Sequence, residues 1–455
     1  MPKTLLYNAG IVTMDAERRQ YNNGAILVDG DRIEAVGRSA DLLASAAEEV
    51  EKIDLSGRWL LPGLINTHVH TSQQLGRGLA DDVDLLTWLR GRVWPYESNL
   101  TEEDSYISSL LCGLELIRSG VTCFAEAGGQ HVAGMGRAVT ELGLRAALAR
   151  SSMDAGEGLP AVWQETTEQV LEAQIANYER WHGQANGRIR AWFGLRTIFN
   201  NSDDLIVRTK ELADQYGVSI HMHVAEVKEE VEYTLLKFDK STVYHLHDLD
   251  VLDHNLLAAH CVWLTDGEIK HLAEHGVKVT HNPAAAMRVL GFARIPEMLE
   301  AGICVTLGTD GAPCNNRMTL VDEMWLATLI HKGRKLDPTV VPAQTVLEMV
   351  TCRAAEALLW QEAIGSLEAG KKADLVVIDP NTPTMLPMHD PVANMVNAMQ
   401  NRNIDSVMCD GQWLMRQGEI LVVDETEVMA EAKARALAIA ERAGLKLPSR
   451  FKVIE

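Results

Sequence analysis

The sequence predicts an α/β protein: a (β/α)8 TIM-like barrel with a small β-sandwich domain built from both chain ends. Two observations carry this. Between residues 59 and 361, eight short apolar strand candidates alternate with amphipathic helical stretches. On either side, residues 1–58 and 362–425 show strand-and-turn texture with no long helix. An open doubly wound sheet is the competing arrangement, but no GxGxxG opens a first strand–helix turn.

The N-terminal piece reads as TLLYNAGIVTMD, GAILVDGDRIEAVG and VEKIDLSGRWLLPG. Alternating apolar residues flank a central Asp-Gly in AILVDGDRIEAVG, which signals a hairpin. The same texture returns in GSLEAGKKADLVVIDP and SVMCDGQWLMRQGEILV, so the two ends are expected to pair. The barrel strands are expected in LLPGLINTHVH, VTCFAEAG, RAALARSSM, IRAWFGLR, VSIHMHVAE, NLLAAHCVW, VKVTHNP and CVTLGTDG. Between them lie helical patterns such as EEDSYISSLLCGLELIRSG, SDDLIVRTKELADQYG and DGEIKHLAEHG. The last two begin at Ser or Asp and end at Gly, as capped helices do. Residues 426–455 read as a C-terminal helix and tail packed on the outside.

Composition narrows the function. Hydrophobic residues make up 47% and charged residues 23% of 455 residues, the profile of a folded globular chain. A formal charge of −21 argues against a nucleic-acid polymer or an anionic membrane as partner. No stretch approaches the roughly 18 uninterrupted apolar residues of a membrane span, and no secretory signal is expected at the N-terminus. Seven cysteines, odd in number and never spaced CxxC, point to reduced thiols and a cytoplasmic location.

Barrel enzymes carry their chemistry at the C-terminal ends of the strands, and four strands here end in ligand-type side chains. The first ends in His68-Val69-His70, whose imidazoles share one strand face. The fifth ends in HMHVAE. His223 and Glu226 converge only if the chain bends after His223, which suits a metal ligand beside a general base that does not bind metal. His221 shares the parity of His223, one step deeper, and reads as a buried barrel histidine. The sixth strand ends in His260, and the eighth in Asp310, which completes a set of three histidines and one carboxylate with room for water.

HVH after PGLINT, then HxxE, AAHC, THNP and GTDG in this order, resemble the amidohydrolase superfamily, in its cytosine/adenosine-type deaminase and chlorohydrolase branch. The S-adenosylhomocysteine/methylthioadenosine deaminases are the most similar group, and the likeness includes RGLADDVDLLTWL, VWPYE and GSLEAGKKADLVVID. The resemblance implies that His68, His70, His223 and Asp310 hold the metal. It further implies that Glu226 shuttles protons, that His260 orients the attacking water, and that Asp310 serves as a second proton relay. The bridging lysine of binuclear relatives is missing from RIRAWFGLR, so one divalent ion is expected, Zn2+ foremost, with Fe2+ or Mn2+ compatible with the same donors.

The resemblance also implies a small heterocyclic substrate and a homo-oligomer. Glu97 matches a ribose-binding glutamate and Arg150 a carboxylate-binding arginine. Two departures stand out: a second arginine is missing from MDAGEGLPAVW, and Arg196 replaces a purine-binding histidine. An arginine there prefers a carbonyl or an anion, so an oxopurine, pterin or triazine stands beside the adenosine-type nucleoside as substrate. Gln73, His281 and Asn282 are expected at the same mouth. Trp88 and Trp94 are candidate pocket walls, with core packing as the alternative, and Cys314 reads as a pocket-wall thiol. The expectation is a hydrolytic deaminase releasing ammonia. The alternatives are a triazine dechlorinase using the same metal centre and a non-catalytic metal-binding barrel, which would need neither Glu226 nor His260.

Overall fold

A computed structural model describes residues 3–83 and 85–445. The tail expected at 446–455 lies outside the described residues. Eight parallel strands close into a barrel. They are Leu64–His70, Val121–Glu126, Arg145–Leu148, Ile189–Ala191 continued by Phe193–Leu195, Ile220–Val224, Leu256–His260, Lys278–His281, and Val305–Leu307 continued by Asp310–Gly311. The expected LLPGLINTHVH strand splits at Gly63, and its first half, Trp59–Pro62, belongs to the other sheet.

The fourth and eighth strands change partners where they break. Trp192 N donates to Leu148 O at 2.8 Å while Phe193 N donates to Ser219 O at 3.1 Å, which hands the fourth strand from the third to the fifth. Gly308 N donates to His281 O at 2.9 Å and Thr309 N to His68 O at 3.0 Å, which closes the ring. Gly308 of the GTDG motif is required there, because a Cβ would sit 2.4 Å from Asn282 Oδ1 and 2.6 Å from His68 Cβ. Inside the barrel, Thr67 Oγ1 lies 2.8 Å from the hydroxyls of both Thr280 and Thr306, a polar layer whose members satisfy one another.

The two chain ends pair as one nine-stranded mixed sheet, in which Trp59–Pro62 runs antiparallel to Leu375–Ile378. It encloses a core of its own that includes Leu6, Ile26, Leu60 and Val377. The hairpin turns at Gly30-Asp31, between Gln20–Asp29 and Arg32–Arg38. Sheet and barrel are tied by Arg145 of the third strand, buried and bonded to both carboxylate oxygens of Asp374 and to Asp410, each at 3.0 Å.

Helix ends follow local chemistry. Helix Asp203–Tyr216 starts at a Ser202 cap and stops at left-handed Gly217, as its sequence predicts. Helix Asp266–Glu274 differs: Thr265, rather than Asp266, is the cap, in a reciprocal capping box with Glu268. The C-terminal helix Glu425–Arg442 lies on helix Glu102–Arg118, and Arg435 and Arg442 both reach Asp104 in its capping turn. No helix among the described residues is long and apolar enough to cross a membrane.

Candidate metal centre and pocket

The first, fifth, sixth and eighth strands bring their polar ends to one point. His68 Nε2 and His70 Nε2 lie 3.5 and 3.6 Å from Asp310 Oδ1, and His223 Nε2 is 3.3 Å from His70 Nε2. Donor atoms of His68, His70 and Asp310, and those of His68, His223 and His260, fall within 4.8 Å of one another. His68 Nε2 and His260 Nε2 are buried without a hydrogen-bond partner, an expensive arrangement unless something else occupies their lone pairs or protons. Burial, reinforced by neighbouring imidazoles and Arg196, pushes His68, His70 and His223 well below the usual histidine range. These imidazoles are therefore neutral at pH 7, the form that can ligate a cation. Burial opposes ionisation of Asp310 too, but His260, His70, His223 and the Gly311 amide outweigh it and hold the carboxyl below its ordinary value. A neutral-histidine and ionised-carboxylate set of this kind fits a divalent cation.

The supporting bonds fix which nitrogen points inward. His223 Nδ1 donates to Arg196 O at 2.8 Å, which leaves the Nε2 lone pair facing the cluster. Asn282 Nδ2 donates to His260 Nδ1 at 3.2 Å, which leaves the proton on Nε2, 3.7 Å from Glu226 Oε1 and 3.9 Å from Asp310 Oδ2. His260 is thus set up as a donor at the cluster. His221 is fully buried beneath, sharing a 2.9 Å bond with His68 Nδ1.

Glu226 stands at the mouth with 23% of its side chain exposed. Loss of water around it and repulsion from Asp310 raise its pKa, while His260 pulls the other way. The bend that brings it there is strained. Ala225, His260 and Asp310, none of them glycine, have φ of 48°, 74° and 62°. Each such residue costs on the order of 1–3 kcal/mol and persists only where its surroundings over-determine it. Glu230, which sequence reasoning missed, does this for the Glu226 turn: its carboxylate accepts the amides of Ala225 at 2.8 Å and Glu226 at 3.0 Å. Its position in the first turn of helix Lys228–Phe238 is the local signal that a carboxylate is available to the preceding bend.

Beside the cluster, Gln73 Nε2 donates to Glu97 Oε1 at 2.7 Å, and Arg196 Nη2 lies 3.7 Å from Glu97 Oε2. Glu97 and Arg196 line a cavity together with Ser72, Trp94, Met153 and Trp163. Trp88 is not among its lining residues; it ends the short helix Leu85–Trp88 and is half-buried. Arg150 lies next to this cavity but is engaged by Glu165 at 2.6 Å. His281 Nε2 is taken up by His331 at 3.1 Å, a partner on helix Leu320–Lys335 that no motif announces. Cys314 Sγ donates to Gly311 O at 3.1 Å, and burial holds its thiol well above the usual range, so it is a poor nucleophile.

Known proteins resemble this chain along most of its length. The chain is 37% identical over 412 residues to a 5'-deoxyadenosine deaminase of Methanobrevibacter smithii, covering 90% of this chain and 92% of the relative. It is 38% identical over 436 residues to a 5-methylthioadenosine/S-adenosylhomocysteine deaminase of Moorella thermoacetica, covering 96% and 99%. Among solved structures, a zinc-bound adenosine deaminase from Xanthomonas campestris superposes with a TM-score of 0.92 at 26% identity, covering 97% of this chain and 99% of that one. A zinc complex of atrazine chlorohydrolase from Arthrobacter aurescens gives 0.87 at 25%, covering 95% and 100%. Residues 59–414 match the amidohydrolase family, and the chain belongs to it.

Proposed function

We propose that this protein is an aminohydrolase that removes the exocyclic amino group of an adenosine-type nucleoside or related purine as ammonia. The observation that carries the reading is the convergence of His68, His70, His223 and Asp310 on one point, with Glu226 and His260 facing each other above it. A scaffold needs neither of the last two. The curated relatives that share about a third of their residues with this chain are nucleoside deaminases, which favours deamination over dechlorination.

His68, His70, His223 and Asp310 would hold the metal, which we assign as one Zn2+; when bound, it supplies a Lewis acid that brings the pKa of water to about 7. Glu226 takes a proton from the attacking water at Oε1 and delivers it to the ring nitrogen beside the reacting carbon. Its raised pKa keeps it basic enough to hold that proton between the two transfers. His260, protonated on Nε2, donates to the oxygen as it adds. Asp310 relays the second proton to the amino group, the carbon–nitrogen bond breaks, and ammonia leaves while oxygen remains on the ring. Gln73, Glu97, Arg196 and Trp94 orient the substrate, and Asn282 holds His260 in its donor tautomer. Seven free cysteines accord with a cytoplasmic setting, and we expect a homo-oligomer.

The test is ammonia release over a panel of nucleosides, aminopurines, pterins and triazines, with metal analysis alongside. Ammonia from adenosine-type nucleosides supports the proposal. Chloride from a chlorotriazine with no ammonia from any nucleoside overturns it in favour of a dechlorinase, and a fully metallated protein inert to the whole panel points to a non-catalytic barrel.

A further inference from the structure

The wall of the cavity built by the loop after the third strand is apolar and charge-balanced. Trp94, Met153, Leu159 and Trp163 form a buried cluster of their own, and three of them line the cavity. The cationic group beside this wall is Arg150, 12% exposed in its side chain, next to the lining residues Gln130 and Ser151. Its guanidinium is already paired: Nη2 donates to Glu165 Oε2 at 2.6 Å and stands 3.4 Å from Gln130 Oε1. Arg150 Nη1 is buried with no partner, a free donor on a guanidinium whose charge Glu165 already balances. The other charged pair of the cavity, Arg196 with Glu97, is likewise internally balanced.

The backbone on either side of Glu165 is anchored, while its carboxylate is bonded to Arg150. It directly precedes Thr166, the cap of helix Thr167–Trp181, in a capping box with Gln169. Asp154 of the same loop accepts from Thr167 Oγ1 at 2.8 Å and from Ser202 N at 2.7 Å, tying the loop to the one after the fourth strand. A carboxylate arriving at Arg150 would have to displace the half-buried carboxylate already bonded there or share one guanidinium with it, leaving one negative charge uncompensated.

We infer that Glu165 selects the substituent on the sugar: with the base over the histidine cluster, the site takes an adenine nucleoside whose 5′ substituent is small, uncharged and apolar, and discriminates against one ending in a carboxylate. This rests on the nucleoside reading above. It separates the two activities named for the relatives and assigns this chain to the side of 5′-deoxyadenosine.

The experiment compares 5′-deoxyadenosine with S-adenosylhomocysteine on the metal-loaded enzyme, and compares their Kd values by calorimetry on metal-stripped protein. The wild type should favour 5′-deoxyadenosine in kcat/KM by about tenfold or more, and E165Q should move the ratio toward S-adenosylhomocysteine by about tenfold. Adding R150Q to E165Q should abolish that gain, an effect that a merely structural role for Glu165 would not produce. A wild type that prefers S-adenosylhomocysteine, or a ratio unmoved by E165Q, overturns the inference. A loss of S-adenosylhomocysteine in E165Q, the result if Glu165 received the ligand's ammonium, also overturns it. If neither nucleoside is deaminated the functional reading fails, while the Kd ratio in wild type and E165Q still decides the role of Glu165, and absence of binding by both overturns it.

Discussion

Glu226 Oε1 and His260 Nε2 face each other across 3.7 Å from the ends of neighbouring strands, each presented by a strained turn at Ala225 or at His260 itself. The proposed base and the proposed donor are thereby directed at the same small volume above the cluster. Removing the base alone should separate chemistry from metal binding. Glu226→Gln should retain its metal and lose turnover by about 10²–10⁴-fold, measured as ammonia release against metal content. Full activity in that variant would remove Glu226 from the reaction.

Glu230 acts on Glu226 through the backbone. Substituting Glu230→Ala leaves the amides of Ala225 and Glu226 without their buried acceptor. A base displaced by a fraction of an ångström should lower kcat by roughly 10–100-fold with little change in KM. A change confined to KM would mean that Glu230 shapes the pocket rather than the turn.

A buried ionic link joins the barrel to the terminal sheet. Arg145→Met leaves Asp374 and Asp410 buried without the guanidinium that joins them, which should cost about 3–5 kcal/mol. Denaturant unfolding checks this, and an unchanged midpoint would show that Lys372, 3.0 Å from Asp410, suffices to hold the junction.

Glu323, outside the proposed ligand set but within reach of the Asp310 charge, gives a pH signature in stability. Burial raises its pKa from 4.5 to about 8, against donation from Ala284 N and Asn315 Nδ2. The folded chain therefore holds this proton more tightly than the unfolded one. Its contribution to stability is fully present below about pH 4.5 and is lost as the pH rises through about 8. The difference in Tm between Glu323→Gln and wild type should shift in favour of the variant from about pH 6 to about pH 9. A difference that stays constant over that range would place the titration elsewhere.

What the sequence reveals and what it hides divide along physical lines. His68 and His70 are legible because alternate strand residues share a face, and Glu226 because HxxE can close only through a bend. The eight-strand alternation carries the barrel. Partner exchange at Trp192 and Gly308 is not legible, since hydrogen bonds to residues far along the chain leave no local period. For the same reason Glu165, Glu230 and His331 escape notice. Each is an ordinary residue whose importance comes from a partner brought to it by the fold. Thr265 is hidden differently, since Thr and Asp are both good caps and only the reciprocal bond to Glu268 decides between them.

The central claim is tested most directly by locating the metal. Crystals grown with zinc and measured for anomalous scattering should show one ion, about 2.0–2.2 Å from nitrogens of His68, His70 and His223 and from an oxygen of Asp310. His223→Ala should lack that ion. Two ions in the barrel mouth, an ion held by a different set of residues, or Glu226 found as a direct ligand would contradict the account.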